Sequence, residues 1–339
     1  GYEGQLSLKN SSVLCIGAGG LGSSVLLYLA AAGIGKIGIV DNDYVEKSNL
    51  QRQIIHETNT IGSLKIDSAQ ERIKKFNPNP ELLTFAERIN PKNALEIIQK
   101  FDIICDCSDN FGTRYLINDA CLILNKPLVF GSVQGFEGQV SVFNLNKTSP
   151  NLRDLLPESP SKNTVPSCAE YGVVGVSTGL IGIIQVNEII KIILKKGEVL
   201  DGKIMVFDLL NMNTKKLHLK SDQVNKQINN LSKFMDYYSD DECSTQTGTI
   251  NRINACDFNS LYKIKPNKIL LIDVRENEEF SASAIEGSIS IPLSHLKQES
   301  DLEFIQKESL NKEVFTICKS GKRSEKASRI LSKFKIQSR

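Results

Sequence analysis

The sequence lacks long hydrophobic runs, CxxC pairs and an excess of charge of either sign. No segment approaches 18 uninterrupted apolar residues, and Gly1 to Gln5 show neither the basic nor the apolar region of an export signal. The 41 Lys and Arg residues nearly balance 39 Asp and Glu residues, which argues against a nucleic-acid polycation and a disordered acidic chain. We therefore expect a globular protein that is not membrane-spanning.

The eight cysteines, without an export signal or a CxxC pair, predict reduced thiols and a cytoplasmic location rather than a disulfide framework. The three histidines, His56, His218 and His295, lack the spacing of metal ligands, and we assign them no role. Because the chain begins with Gly rather than Met, we expect residues to be missing upstream.

The length of 339 residues predicts two domains. Short β-branched runs alternate with helical stretches through residues 1–220, as in a parallel α/β sheet. A polar linker is predicted at 221–248 and a smaller α/β domain at 249–339. Too few residues follow Ser324 for its helix and a closing strand and helix, so we expect this second domain to be incomplete.

The apolar runs locate the main elements. Strands of the first domain are predicted at 13–16, 37–40, 101–105, 128–133, 139–143 and 203–207. Helices are predicted at 21–32 and 173–195, and a long Pro-containing loop at 144–166. Strands of the second domain are predicted at 269–274, 288–292 and 313–318, and a helix at 324–334.

A glycine-rich turn, Gly17-Ala18-Gly19-Gly20-Leu21-Gly22, joins the first strand to a helix. Glycines let backbone N–H groups approach a phosphate at a helix N-terminus, so the turn is typical of nucleotide binding. Asp41 ends the second strand, where a carboxylate can accept hydrogen bonds from ribose hydroxyls. The sequence contains no GxxxxGK[ST] motif and is not a P-loop enzyme.

Further polar residues follow Asp41. They form the segment Ser48, Asn49, Leu50, Gln51, Arg52 and Gln53, with Lys65 beyond it. Each cation alone is typical of a solvated surface, but Arg52 and Lys65 with the amides suit a triphosphate better than a nicotinamide. Asp109 and Asn110 come at the carboxyl edge of the sheet, where Asp109 is a candidate Mg²⁺ ligand, whereas Asp106 is expected to be buried or paired elsewhere.

The segments GxGGLG, IVDND, SNLQRQ and DCSDNFGTR, with Lys65, resemble the adenylation domain of the ubiquitin-activating superfamily. The resemblance covers about residues 4–219 and is closest to members that activate sulfur carriers for molybdopterin or thiamine synthesis. It implies a Rossmann-like domain that uses ATP and Mg²⁺ to adenylate a ubiquitin-like carrier ending in Gly-Gly. It also implies that Gly20 and Asp41 bind nucleotide and that 48–52 and Lys65 contact phosphates. Asp109 with Asn110 would serve metal and nucleotide, and the protein would be a homodimer.

The sequence departs from this family at two places. Relatives often hold zinc with two CxxC pairs, but the segment from Pro150 to Pro157 has neither thiol and Cys243 stands alone, so zinc is not expected. The family also has an Arg in an N-terminal helix that reaches the partner subunit's ATP, and we expect this sequence to start just after that helix.

Cys168 resembles a family cysteine that forms a thioester or acyl disulfide with the carrier. The alternative is a small buried side chain, since free cysteines are often core residues. For Cys15, Cys105, Cys107 and Cys121 we expect the buried, inert environment.

A second reactive thiol is predicted where a strand meets a helix. The segment is Cys318, Lys319, Ser320, Gly321, Lys322, Arg323 and Ser324. Backbone N–H groups and cations at such a turn stabilise a thiolate or persulfide. With the Asp273 and Arg275 pair and the ISIPL segment, the loop resembles that of a rhodanese, over about residues 249–339. A phosphatase would place its Arg one residue further from the Cys.

The fusion predicts that the first domain makes a carrier acyl-adenylate and that a Cys318 persulfide converts it to a thiocarboxylate. The persulfide sulfur would come from a donor such as a cysteine desulfurase or thiosulfate. The alternatives are a tRNA-modifying dehydratase of the same superfamily, an NAD-dependent oxidoreductase and a non-enzymatic module that binds a ubiquitin-like protein. The choice of carrier, and of molybdopterin, thiamine or tRNA thiolation, stays open.

Overall fold

The computed structural model describes residues 1–157, 172–234, 238, 253–296, 299–319, 321–334 and 336–338. The chain divides into two compact units, Gly1–Glu242 and Cys243–Arg339. Cys168, Cys243 and Ser320 lie outside the described residues.

The first unit is built on one sheet of eight strands. They are β1 (Ser12–Ile16), β2 (Lys36–Val40), β3 (Glu81–Phe85), β4 (Ile103–Asp106), β5 (Leu128–Gln134), β6 (Glu137–Phe143), β7 (Lys203–Asp208) and β8 (Asn213–His218). Their order is β3-β2-β1-β4-β5-β6-β7-β8. Pairing is parallel from β3 to β5 and antiparallel from β5 to β8. The predicted mostly parallel α/β sheet is confirmed.

Seven helices connect these strands within the described part of the unit. They are α1 (Tyr2–Lys9), α2 (Gly20–Ala32), α3 (Lys65–Phe76), α4 (Ala94–Ile98), α5 (Phe111–Leu124), α6 (Leu152–Leu155) and α7 (Gly175–Leu194). Short 3₁₀ helices cover Lys47–Asn49, Thr58–Thr60, Val224–Lys226 and Leu231–Phe234. Helix α1 was not predicted; it begins at the second residue and contains no arginine.

The alternation of side chains along β1 divides the core into two layers. Val13 and Cys15 pack in the apolar cluster that includes α2 and α7. Leu14 and Ile16 pack in the cluster that includes α4 and α5. Because both faces are covered, the strand is buried almost throughout, which explains its continuous apolar sequence.

Among the described residues, α7 is the one helix that is long and apolar enough to cross a membrane by length and composition. The same properties occur in core helices of globular proteins, and α7 packs against α2, β5 and β6. Its buried Gln185 donates from Nε2 to the Asp106 carbonyl at 2.8 Å, so the helix is attached to the end of β4.

Two segments expected to be irregular contain ordered structure. The predicted loop at 144–166 includes the one-turn helix α6. Within the predicted linker, Leu231 and Tyr238 are buried in the core of the first unit. The start of the linker therefore packs as part of this unit.

The second unit contains a three-stranded parallel sheet. Its strands are β9 (Ile269–Asp273), β10 (Ile289–Ser290) and β11 (Glu313–Ile317), in the order β10-β9-β11. Its helices are α8 (Ala255–Ile264), α9 (Asn277–Ala282), α10 (Glu299–Glu308) and α11 (Lys322–Lys333). After α11, Ser338 forms a single parallel bridge with Val314, so the chain returns to the edge of the sheet beside β11.

Candidate active site

The glycine-rich turn lies between β1 and α2, where the predicted phosphate site requires it. Gly17 has a φ of +103°, and a Cβ there would stand 2.7 Å from the Cys107 carbonyl oxygen, so this position requires glycine. A Cβ at Gly22 would stand 2.0 Å from the Gly17 carbonyl oxygen. The glycines therefore let the turn pass close to the end of β4.

Asp41 holds the turn through its carboxylate. Its Oδ2 accepts from the Ala18 N–H at 2.8 Å, and its Oδ1 accepts from the Asp43 N–H at 2.9 Å. Burial raises the pKa of Asp41, while the nearby Lys65 charge acts in the opposite direction. The structure thus places Asp41 beside the turn and within the field of Lys65.

Lys65 begins α3 and is buried, although its ammonium group is charged. Its Nζ donates to Asp43 Oδ2 at 2.9 Å, and its backbone N–H donates to the Asp43 carbonyl. Asp43 is exposed, so a phosphate group can compete for the Lys65 ammonium without leaving a buried carboxylate unpaired. The sequence analysis did not single out Asp43, although it belongs to the IVDND segment.

His56 links the turn to α3, and the sequence analysis assigned it no role. Its Nε2 lies 3.0 Å from the Ala18 carbonyl and its Nδ1 lies 2.9 Å from Ser68 Oγ. Since the carbonyl only accepts, Nε2 carries the proton. Burial lowers the pKa of His56, and the Lys65 charge adds to this effect. Only the tertiary contacts identify this residue.

The segment from Ser48 to Gln53 folds around a 3₁₀ helix. Asn49 is buried and accepts from the Glu46 N–H, and Arg52 donates to the Ser48 carbonyl at 3.4 Å. Gln53 is also buried, and its Oε1 has no hydrogen-bond partner among the described residues. Its Nε2 lies 3.8 Å from the position that a Cβ on Gly19 would take, so Gln53 faces the turn. Ser48 and Gln51 are exposed, and Leu50 is half-buried.

Asp109 and Asn110 lie at the carboxyl edge of the sheet, just before α5. Asn110 caps this helix by accepting from the Thr113 N–H at 2.8 Å, and its amide donates to Asp109 Oδ1 at 3.4 Å. Asp109 is exposed, whereas Asp106 is buried and accepts from Ser108. Burial raises the pKa of Asp106. Asp109 is therefore the carboxylate of this strand that is accessible to a ligand.

Three cysteines pack beneath the turn. Cys107 Sγ lies 3.6 Å from Cys15 Sγ and 3.8 Å from Cys105 Sγ. Hydrogen bonding and burial raise the pKa of Cys15 well above its usual value, and burial does so for Cys107. Cys121 is buried in α5, where burial also raises its pKa. These environments disfavour the thiolate form.

In the second unit, Cys318 stands between β11 and α11. Its Sγ accepts from the Gly321 N–H at 3.1 Å and from the Ser324 N–H at 3.3 Å. Gly321 has a φ of +81° and directs this turn. Lys319 is exposed, and Lys322 begins α11. The two N–H groups form a small cradle for an anionic sulfur.

The guanidinium of Arg323 binds a carboxylate on another helix. It donates to both carboxylate oxygens of Glu279, at 2.5 and 2.9 Å. Likewise, Arg275 binds Asp273 at 2.6 Å and donates to the Ser283 carbonyl. Sequence reasoning identified the cations of this loop but missed the carboxylate of Glu279, which lies far from it in the chain.

The residues of the Pro150 to Pro157 segment do not fit a thiolate zinc site. Asn151 and Asp154 cap α6 reciprocally. Asp154 Oδ1 also accepts from the Asp222 N–H at 2.9 Å and from Asn225 Nδ2 at 2.8 Å. Among the described residues, no group of three or more His, Cys, Asp or Glu side chains forms a metal site.

The family models match nearly the whole chain in two parts. The model described as the ThiF family covers residues 1–228. The chain belongs to the ThiF family. Residues 259–338 match the rhodanese-like domain model, which covers β9 to β11 and the Cys318 loop.

The names of relatives of this ThiF-family chain state two activities, adenylyltransferase and sulfurtransferase. "Adenylyltransferase and sulfurtransferase MOCS3" of Drosophila virilis is 37% identical over 339 residues, covering 96% of this chain and 75% of the relative. "Probable adenylyltransferase/sulfurtransferase MoeZ" of Mycobacterium tuberculosis H37Rv is 40% identical over 334 residues, covering 96% and 83%. The chain is thus an enzyme with an adenylyltransferase domain followed by a sulfurtransferase domain.

Solved structures share the fold of the ThiF-family domain. Escherichia coli MccB with ATP superposes with a TM-score of 0.59 at 21% identity, covering 65% of this chain and 67% of MccB. MccB with MccA-N7isoASN gives a TM-score of 0.60 at 20% identity, covering 67% and 69%. At these identities the likeness shows the Rossmann-like fold.

Proposed function

We propose that the ThiF-family domain uses ATP to adenylate the C-terminal glycine of a ubiquitin-like sulfur carrier, and that the rhodanese-like domain supplies sulfur for a thiocarboxylate. One observation carries the first half. Asp41 ties the glycine-rich turn to the residue that holds Lys65, beside the edge where Asp109 is exposed. The ATP complex of MccB and the names of the relatives support the same reading.

In the adenylation step, a carboxylate oxygen of the carrier attacks the α-phosphorus of ATP. The bond to the bridging oxygen breaks and pyrophosphate leaves with the electron pair. Lys65 and Arg52 would offset the charge on the phosphates, and the N–H groups at the start of α2 would bind phosphate oxygens. Catalysis of this kind rests on positioning and charge compensation.

Asp109 fits a Mg²⁺ ion because it offers an exposed carboxylate, and Mg²⁺ commonly binds one or two carboxylates together with substrate phosphates. When bound, the ion would screen phosphate charge and stabilise the leaving pyrophosphate. Asn110 would hold the Asp109 carboxylate through its amide.

In the sulfur-transfer step, the terminal sulfur of a Cys318 persulfide attacks the carbonyl carbon of the acyl-adenylate, and AMP leaves. A thiolate then cleaves the S–S bond and releases the thiocarboxylate, leaving a disulfide that a second thiol reduces. We propose Cys168, which resembles the family cysteine that bonds to the carrier, as that thiolate. The cradle at Gly321 and Ser324 would stabilise the Cys318 persulfide.

A homodimer is part of this proposal. α7 is half-buried in its own unit, and Val176 on this helix is 78% exposed. Ile183 is also exposed there, and Leu6 is exposed on the neighbouring α1. Gel filtration at micromolar concentration is expected to give twice the mass of the chain, and a monomer would contradict the dimer.

Carrier-dependent exchange of labelled pyrophosphate into ATP tests the adenylation step. We expect exchange that requires Mg²⁺ and a small protein ending in Gly-Gly, and that falls about a hundredfold or more in Asp109→Asn. Glu137→Gln, an exposed carboxylate on β6, is the matched control and should retain full exchange.

The absence of exchange with every carrier, despite measurable ATP binding, would contradict the proposal. It would favour a tRNA-modifying dehydratase if tRNA then stimulates ATP hydrolysis, and a binding module if it does not. Exchange that persists unchanged in Asp109→Asn would remove Asp109 from the site while leaving the adenylation reaction in place.

A further inference from the structure

A carboxylate neutralises the guanidinium nearest to the persulfide loop. Glu279 on α9 binds Arg323 on α11 through both oxygens. The two side chains are 37% and 33% exposed, so the pair faces solvent at the site rather than the core. Planar, two-point pairing of this kind restricts the direction of the guanidinium.

Each of the two guanidinium groups near the loop has a carboxylate partner. Arg275 is bound by Asp273, which is 1% exposed, and Arg323 is bound by Glu279. The hydrogen bonds from Arg323 lower the pKa of Glu279 to about 2, so this carboxylate stays ionised at neutral pH. An incoming anion therefore meets one negative charge for each of the two guanidinium groups.

Arg323 also lies within the electrostatic field of the reactive sulfur. After Glu279, a negative Cys318 sulfur contributes to raising the pKa of Arg323. Arg323 is also the residue before Ser324, whose N–H donates to the Cys318 sulfur at 3.3 Å. A guanidinium released from Glu279 would therefore be available to an anionic donor bound at Cys318.

We propose that Glu279 is a specificity-determining residue of the sulfurtransferase site, which holds Arg323 and so disfavours small dianionic sulfur donors relative to less charged ones. This inference rests on the sulfurtransferase activity of the second domain. It concerns the donor half-reaction and is independent of the adenylation step.

The donor half-reaction balances without an oxidant. The Cys318 thiolate attacks the outer sulfur of thiosulfate, the S–S bond breaks, and sulfite leaves with the electron pair. With methanethiosulfonate, a monoanion, the same attack releases methanesulfinate. Cyanide then removes the outer sulfur of the persulfide as thiocyanate and restores the thiolate.

The test measures thiocyanate formation by the full chain with each donor. In Glu279→Gln, kcat/KM for thiosulfate should rise about tenfold, mainly through KM, because one repelling charge is lost and Arg323 is released. The gain for methanethiosulfonate should be about threefold, since its charge is half as large. The thiosulfate gain should shrink as salt is added.

Glu278 is an exposed neighbour on α9, and Glu278→Gln is the matched control. It should change kcat/KM for neither donor. Adding Arg323→Gln to Glu279→Gln should remove the thiosulfate gain. Glu279→Ala serves as a second variant if Glu279→Gln melts at a lower temperature than the unmodified protein.

Equal gains for both donors, or no gain in either Glu279 variant, would overturn the inference. If the unmodified protein forms no more thiocyanate than Cys318→Ala with either donor, the sulfurtransferase activity itself fails. The two failures are therefore distinguishable.

Discussion

The backbone of Ala18 is held from two sides, by Asp41 at its N–H and by His56 at its C=O. Replacing His56 by Ala would leave the carbonyl without this donor beside a buried Ser68. We expect His56→Ala to lower the free energy of unfolding by about 1–3 kcal/mol and to raise KM for ATP. His56→Gln should recover part of both losses, because its amide can donate to the carbonyl. Urea unfolding and initial-rate kinetics measure the two effects, and an unchanged stability in His56→Ala would contradict the role.

The lowered pKa of His56 gives a pH dependence of defined sign. As pH falls below about 6.5, the unfolded chain takes up a proton at His56 before the folded chain does. The stabilising contribution of neutral His56 is thus present above that pH and is lost below it. The stability difference between the unmodified protein and His56→Gln should therefore shrink from pH 7.5 to 5.5. A stability difference that is constant over this range would show that the pKa of His56 is the same in the folded and unfolded states.

The order of residues along the chain was enough to predict that the glycine-rich turn joins a strand to a helix and that Asp41 and Asp109 follow strands, because turns and strand ends carry local signals. His56 and Asp43 could not be predicted in the same way. Their roles depend on contacts with Ala18, Ser68 and Lys65, which come together only when the sheet forms.

At the scale of elements, α6 and the segment after β8 stabilise each other. Asp154 accepts from Asn151, Asp222 and Asn225, and Arg153 forms a buried pair with Asp119. We expect Asp154→Ala to lower the free energy of unfolding by about 2 kcal/mol, because three donors lose their acceptor.

Two comparisons sharpen that prediction. In the Asp154→Ala background, Asn225→Ala should lower the free energy of unfolding by less than it does in the unmodified protein, since the two residues share one interaction. Glu81→Gln, an exposed residue of β3, should change stability by less than about 0.5 kcal/mol. A chelator should leave the melting temperature of the unmodified protein unchanged, and a large decrease would indicate a structural metal after all.

Elements buried on both faces were predicted within a few residues of their bounds, as with α2 and β5, because apolar periodicity reports burial. Strand β8 was not predicted, because all of its side chains are exposed and its sequence therefore shows no alternation of buried and exposed positions. The one-turn helix α6 was missed because prolines on both sides gave a loop signal.

At the scale of the whole molecule, the proposed function has the two domains of this chain act on one carrier in a fixed order. In this proposal adenylation uses the turn, Lys65 and Asp109, and none of these residues belongs to the rhodanese-like unit. The proposed sulfur transfer uses Cys318 and an activated carboxyl group. The two half-reactions are therefore separable by substitution.

Cys318→Ala should keep carrier-dependent pyrophosphate exchange within about twofold of the unmodified protein, because the nucleotide site is untouched. It should form no carrier thiocarboxylate from thiosulfate and ATP. Mass spectrometry would detect this product by an increase of about 16 Da, the difference between one sulfur atom and one oxygen atom. Asp109→Asn should lose both products yet still form thiocyanate from thiosulfate and cyanide. Thiocarboxylate formation by Cys318→Ala would mean that sulfur reaches the acyl-adenylate without the rhodanese-like domain, and the proposed order of the two domains would be wrong.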